Sequence, residues 1–318
     1  MTDARTITIY QPYGYPDLLR QTPGGLGTWN EVRFLINDFS EPCDVLVVLN
    51  RVMTGVTVAC REAWLIVQEP PVQSFPWVFE GHKPFSLVCS PFYIEGYRYR
   101  HVHGALPWHI GKTYDQLKAL NPSCKDRLLS WVTSDKAHFP GHINRMAFLN
   151  KLKSDNLEFD LYGRGFLPVV DKYEGLGPYR YSLAIENYSG PHYWTEKIAD
   201  CFLSWTMPIY YGCVNISDYF PKESFIQIDI HDTCVSDHIS DVINSDRYLQ
   251  NRDAVAEARR LVLEEYQLFP FLMNLYRQRN SEKRNMPEIQ PRRFYPYHVS
   301  FKSRVMRQLR KMRKQYAS

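Results

Sequence analysis

YRYSLAIENYSGPHYWTEKIADCFLSWTMPIYYGCVNISDYFPKESFIQID, residues 179–229, is the stretch that decides the fold. Residues 181–185 alternate large apolar with small side chains, as a buried strand does. Ser189, Gly190 and Pro191 mark a loop. Thr195 then suits a helix N-cap, and Glu196 falls in the first turn, where the helix dipole favours an acid. Ile198, Cys201, Phe202 and Trp205 follow at helical spacing, so this helix is expected to bury one face. Pro208 should end it before a strand over residues 209–211. The product is a βαβ unit whose polar and aromatic residues crowd one loop at a strand's carboxyl end, where open α/β sheets place ligands.

Lys197 is the residue out of place. A lysine beside a helix N-terminus faces the positive end of the dipole, which costs stability unless an anion sits there. Free backbone N–H groups and an ammonium together make a phosphate cradle. A solvated lysine paired loosely with a nearby acid fits the local pattern equally well.

Ordered across some fifty residues, these positions resemble the donor-domain motif of glycosyltransferase family 10, the α-1,3/1,4-fucosyltransferases. The matches are Tyr179, Arg180, Glu186 and Asn187, then Tyr193, Thr195, Glu196 and Lys197, then Pro208, Gly212, Ser224, Phe225 and Ile226. Tyr181 and Ile185 depart from it, standing where phenylalanine is usual. Arg145 to Phe148 and the Tyr162-Gly163 step fall where that family has a helix and a strand end. The resemblance implies an α/β protein with two Rossmann-like domains facing a cleft, the GT-B type. It further implies a GDP-fucose donor, a glycan acceptor, and transfer with inversion in an α-1,3-type linkage.

Chain length agrees with two domains. The expected division is an acceptor-binding domain over residues 1–125, a donor-binding domain over 126–280, and a linker with a basic tail over 281–318. Strands are expected at residues 6–10, 44–50, 63–68 and 85–89, separated by helical patterns, with an amphipathic stretch at 30–39 after the loop Gly24-Gly25-Leu26-Gly27. That loop fits neither the Walker nor the dinucleotide fingerprint and reads as an ordinary loop or one shaping the acceptor cleft. In the second half, strands are expected at 128–133 and 159–162, a helix at 141–152, and a long helical pattern at 253–280 broken at Pro270. Pro287, Pro291 and Pro296 read as a linker.

Departure of a nucleoside diphosphate builds negative charge, so cations and helix-end amides should be aimed at it. Lys197 and Arg145 are the candidates, the second because its fork can grip phosphate in two places. By resemblance, Asn187, Tyr193 and Glu196 hold donor sugar, nucleobase and ribose. Glu186 reads as a structural carboxylate. An inverting transfer also needs a base, and Glu69 in LIVQEPP stands at the end of an apolar strand before Pro70 and Pro71. A carboxylate there can have the raised pKa a general base needs. Glu95, His101, His103 and His109 are rivals. No D-x-D triplet occurs, so no obligatory metal or cofactor is expected.

The 22 tyrosines and 7 tryptophans suit a sugar-handling protein but serve cores equally. Seven scattered cysteines, without a C-x-x-C pair, point to a reducing compartment. No apolar run of about twenty residues occurs, and MTDARTITIY lacks a signal-peptide core. Residues 302–318 carry seven bases and no acid, with Val305, Leu309, Met312 and Tyr316 on one helical stripe. This reads as an anionic-membrane contact, with a solvated tail as the plain alternative; no nucleic-acid motif accompanies it. With these readings, the family resemblance implies a cytoplasmic protein at the inner face of a bacterial membrane, in lipopolysaccharide or capsule glycan synthesis. Another nucleotide sugar as donor, or a catalytically inactive nucleotide-sugar or glycan-binding module, are the alternatives.

Overall fold

The computed structural model describes residues 5–14, 17–72, 74–282 and 287–298. They form two compact units. The first takes in the described residues of Met1–Pro16, Val32–His101 and Asn285–Ser318; the second takes in those of Asp17–Glu31 and Val102–Arg284. The sequence-based boundary at 125 and the contact boundary after His101 therefore differ, and two short segments trade units.

In the first unit, parallel strands stand in the order Val32–Ile36, Arg5–Tyr10, Cys43–Leu49, Val56–Ile66, Leu87–Ser90 and Tyr99–His101. Cys43–Leu49 is buried along its whole length, the mark of a strand covered on both faces. Two expectations fail here. The amphipathic stretch at 30–39 contains a strand rather than a helix: Val32 and Phe34 alternate with less buried neighbours, and period two wins. Nor do helices separate the strands: among the described residues this unit holds one 3-10 turn, Pro76–Val78, and no α-helix. The proline-rich segment expected as a linker contributes instead a strand, Gln290–Phe294, antiparallel to residues 56–60.

The second unit holds a wholly parallel sheet in the order Ile226–Gln227, Met207–Cys213, Tyr179–Gly190, Arg127–Val132 and Asp160–Tyr162. The long strand Tyr179–Gly190 has an irregularity between Ile185 and Gly190, so the expected loop is the end of the strand. Thr195 caps the helix Glu196–Leu203 by accepting from the Lys197 amide. Ile198, Cys201 and Phe202 are sealed in the core at 1% exposure or less; a buried residue of this kind contributes about 1.5–3 kcal/mol. Trp205 falls outside that helix, at φ 58°, and its indole donates to the Leu120 carbonyl. Pro208 lies within the next strand rather than ending the helix. The long helical pattern breaks at a π-turn, Val262–Tyr266. Pro270 instead enters the first turn of the helix Leu268–Glu282, where its missing N–H costs nothing. Among the described residues no helix is long and apolar enough to cross a membrane, and residues 302–318 lie outside the described residues.

Candidate active site

The carboxyl ends of the second unit's central strands, with the N-terminal parts of two helices, collect many of its ionisable groups. Glu186 and Asn187 come from Tyr179–Gly190, Arg145 from the helix Pro140–Ser154, and Glu196 and Lys197 from the helix Glu196–Leu203. Lys197 neither points freely into water nor stands unpaired. Its Nζ donates to Glu186 Oε2 at 3.0 Å and lies 3.7 Å from Glu196 Oε1, with 21% of the side chain exposed. Burial opposes its charge, but the two carboxylates outweigh burial and raise the ammonium above the ordinary lysine range.

Glu186 is fully buried and accepts from the Thr195 amide, the Thr195 hydroxyl and Lys197. The carboxylate read as structural is thus the hub that ties the strand end to the helix cap and sets the lysine. Gly212 lies directly over it: a Cβ there would come within 2.4 Å of the Glu186 side chain. Burial also opposes ionisation of Glu196, yet Lys197, His109 and Lys172 hold its carboxyl well below the ordinary value. Lys172 in turn pairs with buried Asp200 at 2.7 Å, and Asp200 accepts from the His109 amide.

Arg145 is 3% exposed. One arm donates to Asn187 Oδ1 at 2.6 Å and the other to the Ser134 carbonyl at 3.1 Å, while buried Nε has no partner among the described residues. The pairing with Asn187 was outside the reach of sequence reading. His142 was missed too. It lies one turn before Arg145, and its Nδ1 is buried without a described partner. Burial, then the charges of Arg145, Lys136, Lys197 and His138, push its pKa down to about 4. Those five basic side chains therefore share one neighbourhood, at the start of a 15-residue helix. The i, i+3 spacing of His142 and Arg145 was a readable signal; the approach of Lys136 was not.

Tyr193 is buried, with its ring packed edge-on against Tyr188 at 5.5 Å. His103 is stacked on Trp194 at 4.7 Å and buried among aromatic rings, which removes it from the rival bases. His109 is exposed, with Nδ1 3.7 Å from Glu196. His101 and Glu95 belong to the first unit, where His101 Nε2 lies 2.8 Å from the Pro91 carbonyl oxygen. Glu69 is also in the first unit, half-buried, three residues past the strand Val56–Ile66 and followed by buried Pro70. Its charge is felt by Tyr13, whose hydroxyl pKa is raised first by burial and then by Glu69. Among the described residues no group of three or more His, Cys, Asp or Glu is arranged to hold a metal ion.

Two outcomes follow from this geometry. A Cβ on Gly141 would lie 1.7 Å from the Asn187 carbonyl oxygen, so the helix start and the strand end can meet only at glycine. Gly141→Ala should cost about 3 kcal/mol or more in urea unfolding; stability within experimental error of the parent would refute that close approach. The second concerns acid. His103 is held down to about 3, by burial and then by His192, and His142 down to about 4. Both folded-state values lie below the unfolded histidine value, so unfolding takes up protons below about pH 6.5. Stability is fully present above that pH and should fall as pH drops toward 4, with a slope of up to about two protons from this pair. Melting temperatures across this range measure it, and His142→Gln should flatten the slope.

The model of the family described as "Glycosyltransferase family 10 (fucosyltransferase) C-term" matches residues 122–251. A 3-galactosyl-N-acetylglucosaminide 4-alpha-L-fucosyltransferase of Bos taurus is 31% identical over 115 residues, covering 35% of this chain and 30% of the relative. The Alpha-(1,3)-fucosyltransferase FucT of Helicobacter pylori is 41% identical over 64 residues, 20% of this chain and 13% of the relative. The chain thus spans less than a third of the length of these curated relatives. Among solved structures, an alpha1,3-fucosyltransferase with GDP-fucose has a TM-score of 0.51 at 16% identity, covering 90% of this chain and 93% of that one. A glycosyltransferase from Rickettsia africae also has a TM-score of 0.51, at 9% identity, over 89% of this chain and 100% of the other. At such identities the likeness is one of fold, and the fold is the α/β GT-B type.

Proposed function

On the premise that residues 122–251 are a glycosyltransferase family 10 C-terminal domain, we propose that the chain is a fucosyltransferase. It moves L-fucose from GDP-fucose to a glycan hydroxyl, with inversion and an α-1,3-type linkage. The observation that carries this reading is the gathering of Arg145, Lys197, Lys136 and His138 around His142, near the start of the helix Pro140–Ser154, with Arg145 bonded to Asn187. Such a site suits a diphosphate, because helix-end amides and fixed cations both stabilise negative charge. As the bond from fucose to diphosphate breaks, charge accumulates on the leaving oxygen, and Lys197 and Arg145 neutralise it. Asn187, Tyr193 and Glu196 hold the donor's sugar, base and ribose. Glu69 takes the proton of the acceptor hydroxyl.

Cationic side chains do the neutralising, so the reaction needs no obligatory metal or other cofactor. The amphipathic, basic end of the sequence supports peripheral attachment to an anionic membrane surface, with the active enzyme on the cytoplasmic side of a bacterial membrane. There it builds lipopolysaccharide or capsule glycan.

Calorimetry with GDP, UDP, CDP and ADP, each with and without EDTA, tests the donor assignment. GDP should bind at least tenfold more tightly than the others, a preference of about 1.4 kcal/mol, unaffected by EDTA. Preference for another nucleotide would change the donor and keep the chemistry. Absence of all nucleotide binding would leave an inactive module.

A further inference from the structure

Beside the proposed donor site lies a second layer of charge that no step of the transfer uses. Asp200 stands one turn after Glu196 on the helix Glu196–Leu203 and is wholly buried. Its two carboxylate oxygens receive the His109 amide at 3.0 and 3.4 Å, and the Lys172 ammonium donates to Oδ2 at 2.7 Å. Lys172 opens the 3-10 turn Lys172–Gly175, whose cap is Asp171. Asp171 also accepts from the Gly111 amide at 2.9 Å, and the Lys112 ammonium lies over the Tyr173 ring at 4.2 Å. Residues 109–112 are thus strapped to the turn on one side and to the helix on the other. The strap sets the His109 ring, with Nδ1 3.7 Å from Glu196 Oε1.

Glu196 depends on such support. Only 13% of its side chain is exposed, so burial opposes its charge, and Lys197, His109 and Lys172 offset that burial. Lys197, however, stands nearer to Glu186, at 3.0 Å against 3.7 Å, and a histidine is a cation only when protonated. Lys172 is a lysine cation committed to this side of the site, through its pair with Asp200. Burial opposes its ammonium as well, but Asp200 and then Glu196 raise it above the ordinary lysine range, so it answers to both carboxylates. Stability alone does not account for the pair, since a buried ion pair is often no better for the fold than apolar side chains of similar volume.

We propose that Lys172 is a positioning residue of the donor site: by its charge, and through Asp200 and the His109 strap, it keeps the Glu196 carboxylate placed to accept from the ribose hydroxyls of the nucleotide. The inference rests on the reading of Glu196 as the ribose-holding residue and deepens it.

Calorimetry on the full chain with GDP and with 2′,3′-dideoxy-GDP, which lacks both hydroxyls, tests it. The parent should prefer GDP by about tenfold or more, the scale of one charge-assisted hydrogen bond. Lys172→Gln removes the charge but can still donate to Asp200, so the buried carboxylate is not orphaned. That variant should bind the dideoxy nucleotide within about threefold of the parent, yet prefer GDP by no more than about twofold. Lys172→Arg keeps the charge and should retain the parent's preference. A parent-sized preference in Lys172→Gln overturns the proposal. So do equal losses for both nucleotides, failure of Lys172→Gln to fold, or loss of the preference in Lys172→Arg as well, each of which makes the lysine an element of packing only. Glu196→Gln is the control and should lose the preference too. No preference in the parent, or a parent-sized one in Glu196→Gln, would sink the ribose reading itself and this inference with it.

Discussion

Lys197→Met should abolish measurable GDP binding and lower the unfolding free energy by about 3–5 kcal/mol. Both effects come from one arrangement. The lysine's ammonium is the partner of Glu186, which is fully buried and receives two further hydrogen bonds from Thr195. Removing the ammonium leaves a buried carboxylate uncompensated, and that cost is far larger than the net worth of an exposed ion pair. The binding loss has a separate origin: the cation is one of five basic groups around the proposed diphosphate site. A double variant separates the two. Adding Glu186→Gln to Lys197→Met removes the orphaned charge, so stability should largely return while GDP affinity does not. GDP bound normally by Lys197→Met would exclude this lysine from the leaving-group site.

Glu69→Gln should lower fucose transfer by about two to four orders of magnitude, the usual contribution of a general base, and leave GDP affinity unchanged. Glutamine is nearly isosteric and keeps one carbonyl oxygen as an acceptor, so the loss would report the missing base rather than a disturbed fold. The position is defined: buried Pro70 follows it, and the strand Val56–Ile66 ends three residues before it. Tyr13, whose pKa its charge raises, stands close by. Transfer at the parent rate would discard the assignment and turn attention to exposed His109, whose ring lies 3.7 Å from Glu196.

The order of elements in the second unit was legible because its signals are local. A cap, an acid in the first turn and an apolar stripe lie within a few residues of one another, and each stabilises the helix that contains it. The first unit was read less well. Val32 and Phe34 belong to a five-residue strand, and over so short a span periods of 2 and 3.6 are hard to separate. Whether residues 290–294 are linker or strand depends on their pairing with residues 56–60, more than two hundred positions away. No local propensity encodes that.

The candidate site divides along the same line. By itself the sequence determined which residue types are present in the ordered motif, that Thr195 starts a helix, and that Lys197 is set against its dipole. What that lysine faces depends on how the chain packs. Glu186 is eleven residues earlier, but the strand end and the helix cap bring its carboxylate within 3.0 Å of the ammonium. Only the structure drew Lys136 and His142 to the same place. The physical reason is range. Caps and stripes act over one helical turn, whereas buried charges and cavities are settled by whichever distant segments pack against them.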